Sequence, residues 1–355
     1  MLGLCLQILS GISLAVHYEP SASSAFHCLN RMARSRELGW LLRSCHHVGA
    51  SLTFGAMYGH LFKNVYCRSY SFGREGPWVV GTLAFMLTML TGFLGSVLPW
   101  GQISYWAAVV SSNFVEVVPF IGKSLKAILL GGTNVSDATI KRFFVFHCIL
   151  PFGIIALATI HILLVHAKGQ LYYSKCQLPV KRVYVPMHPT YTIKAFRACL
   201  LYLLVLFSIC TLIPDVFTNK TNYYPASYLV TPSNVKPEWY FMPFFAMLKA
   251  FDSKSVGILC VISSFVFLMA LPFVYKNVPF WQSIKSYRTS VSIVSLCFVC
   301  LTLLGEFTRT KWTALASKAC IYSSWVFFLW PLGIPYFKPI GNALLAIVNK
   351  FLRNC

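Results

Sequence analysis

The chain has 355 residues, 57% of them hydrophobic and 11% charged, and carries a formal net charge of +21. Soluble domains carry roughly 25% charged residues, so this composition excludes an ordinary water-soluble fold; mean hydropathy is +0.65. The positive charge would suit a nucleic-acid binder, yet Lys and Arg sit in short connections between apolar stretches without a compact basic patch. They are expected to face lipid head groups or acidic partner subunits, and no nucleic-acid partner is expected.

Apolar windows long enough to span a bilayer recur near 2–17, 41–62, 77–98, 143–166, 196–213, 255–275, 289–305 and 319–337. Backbone groups in lipid must be satisfied internally, so the expected fold is all-α, a polytopic membrane protein with eight transmembrane helices. An even number of crossings puts both termini on one side. The first span, opening Met-Leu-Gly-Leu-Cys-Leu, has no basic residues ahead of its apolar run and reads as a helix rather than a cleaved signal peptide. Lys and Arg divide evenly between the two sides, so they do not fix orientation. The 13 cysteines lie mostly in apolar spans and read as small packing residues. Cys297 and Cys300 form a CxxC without a following His, which does not suit covalent haem attachment.

The second span holds His46 and His60, fourteen apart; the fourth holds His147 and His161, also fourteen apart. Ionisable residues inside membrane helices are costly and read as functional. Two crossings separate these helices, so they run parallel, and His46 falls level with His147, His60 with His161. Fourteen residues rise roughly 21 Å and leave the two imidazoles of one helix only about 40° apart around its axis. Each helix therefore points both rings at one partner. Two histidines per level suit a haem iron with two axial imidazoles, a state that favours electron transfer; a bare metal would want three or four ligands. Haem propionates need cations, and Arg43, Arg142 and Lys63 stand three before His46, five before His147 and three after His60. Gly81 and Gly95, again fourteen apart, and Gly11 would let a backbone approach a neighbouring helix or a flat ring closely.

Several segments together resemble the cytochrome b family, the haem-and-quinone subunit of mitochondrial ubiquinol–cytochrome c reductase (respiratory complex III). They are Gln7-Ile-Leu-Ser-Gly11 with His17-Tyr18, Arg43-Ser-Cys-His46-His47-Val-Gly49-Ala-Ser51, the segment Leu98–Trp106 read as a loop, Arg142-Phe-Phe-Val-Phe-His147, His161–His166 and Pro237-Glu-Trp-Tyr240. The resemblance runs almost end to end. It implies an amino-terminal haem-binding bundle over 1–195, four helices holding two stacked haems, and a carboxy-terminal four-helix domain over 196–355. His46 and His147 would ligate a low-potential b haem, and His60 and His161 a high-potential one. Quinol oxidation would take place among Phe93, Gly101 to Trp106 and Pro237 to Tyr240, with Glu238 and Tyr240 as catalytic candidates. Quinone reduction would use His166 and Lys194.

The implied activity is proton-translocating quinol–cytochrome c reduction. Implied partners are a Rieske iron–sulfur protein, a cytochrome c-type subunit, other complex III subunits, ubiquinone and ubiquinol, and membrane lipids, in a homodimeric complex. The implied location is the mitochondrial inner membrane, with a bacterial plasma membrane as the alternative. The chain departs from the family at Ala195, where a carboxylate is expected, and at Ser96, Phe245, Ala107 and Gln170; the family's amino-terminal surface helix and the first glycine of its first helix have no counterpart. Two other readings stay open at this point: a non-catalytic membrane scaffold that keeps the histidines, and a transporter with proton-relay histidines.

Overall fold

A computed structural model of the chain describes residues 1–35, 37–71, 73–168, 186–275 and 284–328. Among these residues the regular structure is helical and no strand occurs; an isolated β-bridge joins Gly101 and Pro225. The helices are α1 (Leu2–Ala15), α2 (Ala25–Ala33), α3 (Gly39–Tyr66), α4 (Glu75–Val97), α5 (Gln102–Val115), α6 (Gly122–Leu130), α7 (Asp137–Lys168), α8 (Thr192–Leu212), α9 (Met242–Lys249), α10 (Lys254–Val274) and α11 (Ile284–Glu306). A further helix, α12, covers residues 311–328.

Five of these are long and apolar enough to cross a membrane: α4, α7, α8 with the turn before it, α10 and α11. The remaining expected spans differ for separate reasons. Helix α1 has 14 residues. Helix α3 has 28 residues, but Arg43, His46, His47, His60 and Lys63 dilute its apolar character. The span expected at 319–337 runs beyond residue 328 and out of the described residues. The segment from Gly101 to Trp106 is helical from Gln102 onward rather than a loop. Helices α2, α5, α6 and α9 escape a search for long apolar runs because each has 14 residues or fewer.

Large apolar side chains remain exposed along the long helices, among them Phe146, Ile149, Phe152 and Leu163 of α7 and Phe196, Leu200, Leu204 and Phe207 of α8. So much apolar surface on separate helices is what a lipid-facing chain presents. Lipid tails are as apolar as leucine, so helix association here depends on packing and hydrogen bonds more than on removal of surface from water.

The chain forms two compact units, Met1–Leu61 with Val79–Met242, and Phe62–Trp78 with Pro243–Cys355. In the first, Leu94, Val97, Trp100, Leu130, Ile140 and Phe143 form one buried cluster, and Val48, Leu206 and Cys210 another. In the second, Ala246, Met247, Ala250, Cys260, Leu301 and Ile321 pack together. There the turn after α3 is tied to α10 and α11. The Trp78 indole donates to Leu268 O at 2.8 Å, and the Tyr287 hydroxyl donates to Val65 O at 2.6 Å. The Arg68 guanidinium lies 5.6 Å from the Tyr275 ring and 5.2 Å from the Tyr287 ring, a cation–π arrangement in a buried setting.

The start of α7 depends on Thr139, which is fully buried. Its hydroxyl donates to Leu130 O at 2.7 Å and accepts from the Ser136 amide at 3.0 Å. This ties the end of α6 to the first turn of α7, above the level of His147. Thr139→Val keeps the shape and removes both bonds. It is expected to destabilise the first unit by about 1–3 kcal/mol, seen as a lower denaturation midpoint in detergent; an unchanged midpoint contradicts the assignment.

Candidate functional site

Helices α3 and α7 bring the four histidines together two by two. The ring centroids of His46 and His147 are 6.1 Å apart with planes at 82°, and those of His60 and His161 are 6.3 Å apart with planes at 75°. Two imidazoles bound to opposite sides of one metal, each about 2 Å from it, place their centroids roughly 6 Å apart. Both pairs fit that arrangement. Both helices run unbroken between their histidines, so the two levels are separated by roughly 21 Å along the axes. Pro151, between the two levels of α7, stays inside the helix; a membrane helix tolerates this when neighbouring groups re-satisfy the freed carbonyl.

The second ring nitrogen is held as well. His147 Nδ1 lies 2.9 Å from Thr91 O of α4, and a carbonyl can only accept, so Nδ1 carries the proton. Nε2 then keeps its lone pair for a metal, the usual way a ligating histidine is fixed. Three glycines press on these rings. A Cβ added to Gly95 would sit 2.5 Å from His147 Cε1, one on Gly81 2.8 Å from His161 Cε1, and one on Gly11 3.0 Å from His46 Cε1. An imidazole edge therefore lies against the backbone at each of these glycines.

The expected cations are placed differently from one another. Arg43 sits among Asp215 and Tyr223 in the connection after α8, and the Tyr223 hydroxyl donates to the Asp215 carboxylate. Arg142 is exposed and donates to Ile128 O at the end of α6. Lys63 is exposed and falls in the second unit.

A second set of residues is assembled by the connection between α8 and α9. The Gln102 side chain donates to Val230 O at 3.2 Å and accepts from Ser227 N at 2.9 Å, while Asn222 Oδ1 accepts from Ser104 N at 3.0 Å. Trp106 Nε1 donates to Ser227 O at 3.2 Å. This stitching lays the connection along the α4–α5 corner, where Phe93 stands 6.0 Å from Phe143. The Pro237–Tyr240 segment then reaches α3. The Tyr240 ring stacks on Phe54 at 4.0 Å and 12°, and the Tyr58 hydroxyl donates to Tyr240 O at 2.6 Å. Glu238, in the connection ahead of that turn, has its carboxyl pushed up to about 7 by burial. None of the Gln102, Asn222, Phe54 or Tyr58 contacts is legible from motif spacing; the polar Asn222 just ahead of Tyr223-Tyr224 is the faint signal.

At the other level, His166 and Lys194 are both exposed, and Lys194 Nζ lies 5.7 Å from the centroid of the Tyr191 ring. Ala195 is exposed, and Gln170 lies outside the described residues. Ser96 donates to Phe93 O at 2.8 Å, and the Phe245 ring lies beneath Lys249 Nζ at 4.6 Å.

Fold and site together define a multi-pass, all-helical membrane protein with two stacked histidine pairs on parallel helices. The family model described as cytochrome b/b6/petB matches residues 1–169, and that described as cytochrome b (C-terminal)/b6/petD matches residues 225–327. A cytochrome b of Rickettsia conorii is 36% identical over 96% of this chain and 86% of its own length. A cytochrome b of Dictyostelium citrinum is 34% identical over 98% and 89%. A solved structure titled "Hyperthermophilic respiratory Complex III" contains a chain that matches at TM-score 0.84 and 29% identity, over 95% of this chain and 89% of that one. This chain belongs to the cytochrome b/b6 family.

Gly101 faces Asn222 so closely that an added Cβ would collide with both its main-chain and side-chain oxygens. Gly101→Ala should therefore lift the α8–α9 connection off the α4–α5 corner. Limited proteolysis of membranes should show faster cleavage between residues 213 and 236 in the variant; equal rates would mean that the corner yields elsewhere.

Proposed function

We propose that this chain is the redox-core subunit of a proton-translocating quinol–cytochrome c oxidoreductase. Quinol is oxidised at one membrane face and quinone reduced near the other, with two non-covalent b haems between. The observation that carries the reading is the doubled histidine pair, 6.1 and 6.3 Å between centroids at two levels of α3 and α7. When bound, the haems supply one-electron transfer between the two faces.

The chain's own residues hold and orient. His46 and His147 would ligate the low-potential haem, His60 and His161 the high-potential one. Gly11, Gly81 and Gly95 give the imidazoles room, and Arg43, Arg142 and Lys63 supply cations for propionates. Phe93, Gly101, Trp106 and Pro237 wall the oxidation site, Tyr240 anchors its floor to α3, and Glu238 takes the quinol proton. A carboxyl near 7 is matched to that task, because it is partly ionised at working pH and still basic enough to accept. His166 and Lys194 are the polar groups offered to quinone at the other level. By this reading the chain divides functionally into 1–195, which holds the haems, and 196–355, which carries the Pro-Glu-Trp-Tyr segment.

A Rieske iron–sulfur protein and a cytochrome c-type subunit are proposed as partners in a homodimeric complex with lipid around it, in keeping with the complex III title of the similar structure. The proposed location is the mitochondrial inner membrane, supported by the Dictyostelium relative; the Rickettsia relatives support a bacterial plasma membrane as the alternative.

A dithionite-reduced minus oxidised spectrum with a redox titration tests the reading. Two b-type components are expected, one lost in His46→Ala and the other in His60→Ala. A colourless protein favours a transporter, and a single component favours a scaffold. For Glu238, burial raises the pKa, so the base form grows as pH rises through about 7. Quinol oxidation should climb across that range. Glu238→Gln should flatten the climb and slow the reaction by about 10²-fold or more; a retained climb assigns the proton to another group.

A further inference from the structure

Ser10 stands beside Gly11 on α1, and both bear on the same imidazole. Ser10 Oγ donates to Leu6 O at 2.6 Å and lies 2.9 Å from His46 Nδ1. A hydroxyl has one proton and two lone pairs. With its proton committed to Leu6, it can only accept from His46, so Nδ1 carries the ring proton and Nε2 keeps its lone pair. Gly11, the next residue, leaves room at Cε1 of that ring. The opposing His147 is fixed in the same tautomer by a main-chain oxygen, Thr91 O. Side-chain mutation cannot remove that acceptor, whereas it can remove Ser10.

The surroundings sharpen the effect. Ser10 lines a cavity of about 640 Å³ with Leu6, Leu9, Leu42, Leu203 and Phe207. In an apolar membrane interior such a space offers no water to replace a lost hydroxyl. Its bond to Leu6 O also polarises the hydroxyl and makes it a better acceptor. The Gln7 main chain also interacts with the His46 ring, so loss of Ser10 removes one of two groups that address that ring.

Resting on the haem reading above, we infer that Ser10 is a positioning residue for the low-potential haem, its hydroxyl fixing the tautomer and raising the electron donation of His46, one of that haem's two ligands. An acceptor at Nδ1 gives the ring imidazolate character, which stabilises the oxidised iron and keeps the potential low. Removing it raises the potential of that component and weakens ligation.

The test uses the complex in its membrane, comparing the unmutated chain with Ser10→Ala, Ser10→Thr and Ser10→Cys. The expected result for S10A is an upward shift of the low-potential component only, an altered ferric low-spin EPR signal for the same component, and roughly 10-fold faster haem loss to apomyoglobin. S10T, which keeps the hydroxyl, restores all three. If S10A holds no haem at that site, S10C is read instead, and a partial shift supports the inference. Unmoved potentials and EPR signals in a complex with both components overturn it while leaving the two-haem reading intact. An equal change in both components also overturns it, because it marks general loosening. Absence of b-type absorbance in the unmutated chain overturns both readings.

Discussion

An imidazole set among lipid-facing helices has two nitrogens to satisfy and no water to turn to. Four such rings in one bundle are tolerable only if each nitrogen has an assigned partner, and that requirement organises the first unit. It fixes α1 against α3, because Ser10 and Gly11 both address His46. It fixes α4 against α7, because Thr91 O takes the Nδ1 proton of His147 while Gly95 and Gly81 clear space for the rings. The small residues are thus placed by the histidines as much as by helix packing. A bundle held in this way needs little removal of apolar surface from water, which the bilayer would not reward in any case.

Much of this was legible in the sequence, for a physical reason. A helix has a fixed rise and turn, so fourteen-residue spacing in two parallel helices specifies which histidines meet before any coordinates exist. Glycines repeating at the same interval follow from the same geometry. What stayed hidden depends on contacts between segments distant in sequence. Asn222 reaching Ser104, Gln102 reaching Ser227 and Val230, and Tyr58 reaching the Tyr240 carbonyl leave no periodic trace. The short helices α2, α5, α6 and α9 carry no bilayer-length apolar run. The polar ends of α3 continue past its apolar stretch as ordinary helix.

The departures from the family pattern have unequal physical weight. Ser96 turns its hydroxyl back onto Phe93 O, so it projects no polar group of its own away from the helix. Phe245 lies under Lys249, whose ammonium also reaches the Gly305 and Phe307 carbonyls, so there the change is absorbed into a packing contact. Ala195 takes away a charge at an exposed position at the start of α8 and leaves the geometry of the four histidines untouched.

Phe54 and Tyr58 occupy α3 between His46 and His60, and they grip Tyr240 by its ring and its carbonyl. One rod therefore carries the reference marks for three things at once: His46, His60 and the segment that bears Glu238. In the language of machined parts, these features share a datum edge. A rigid shift of α3 moves these features together and leaves their mutual spacing unaltered, so positional errors among them cancel instead of accumulating. Thermal jostling of the helix within the bilayer then leaves the distance between the acidic group and His46, the α3 member of the first pair, in register.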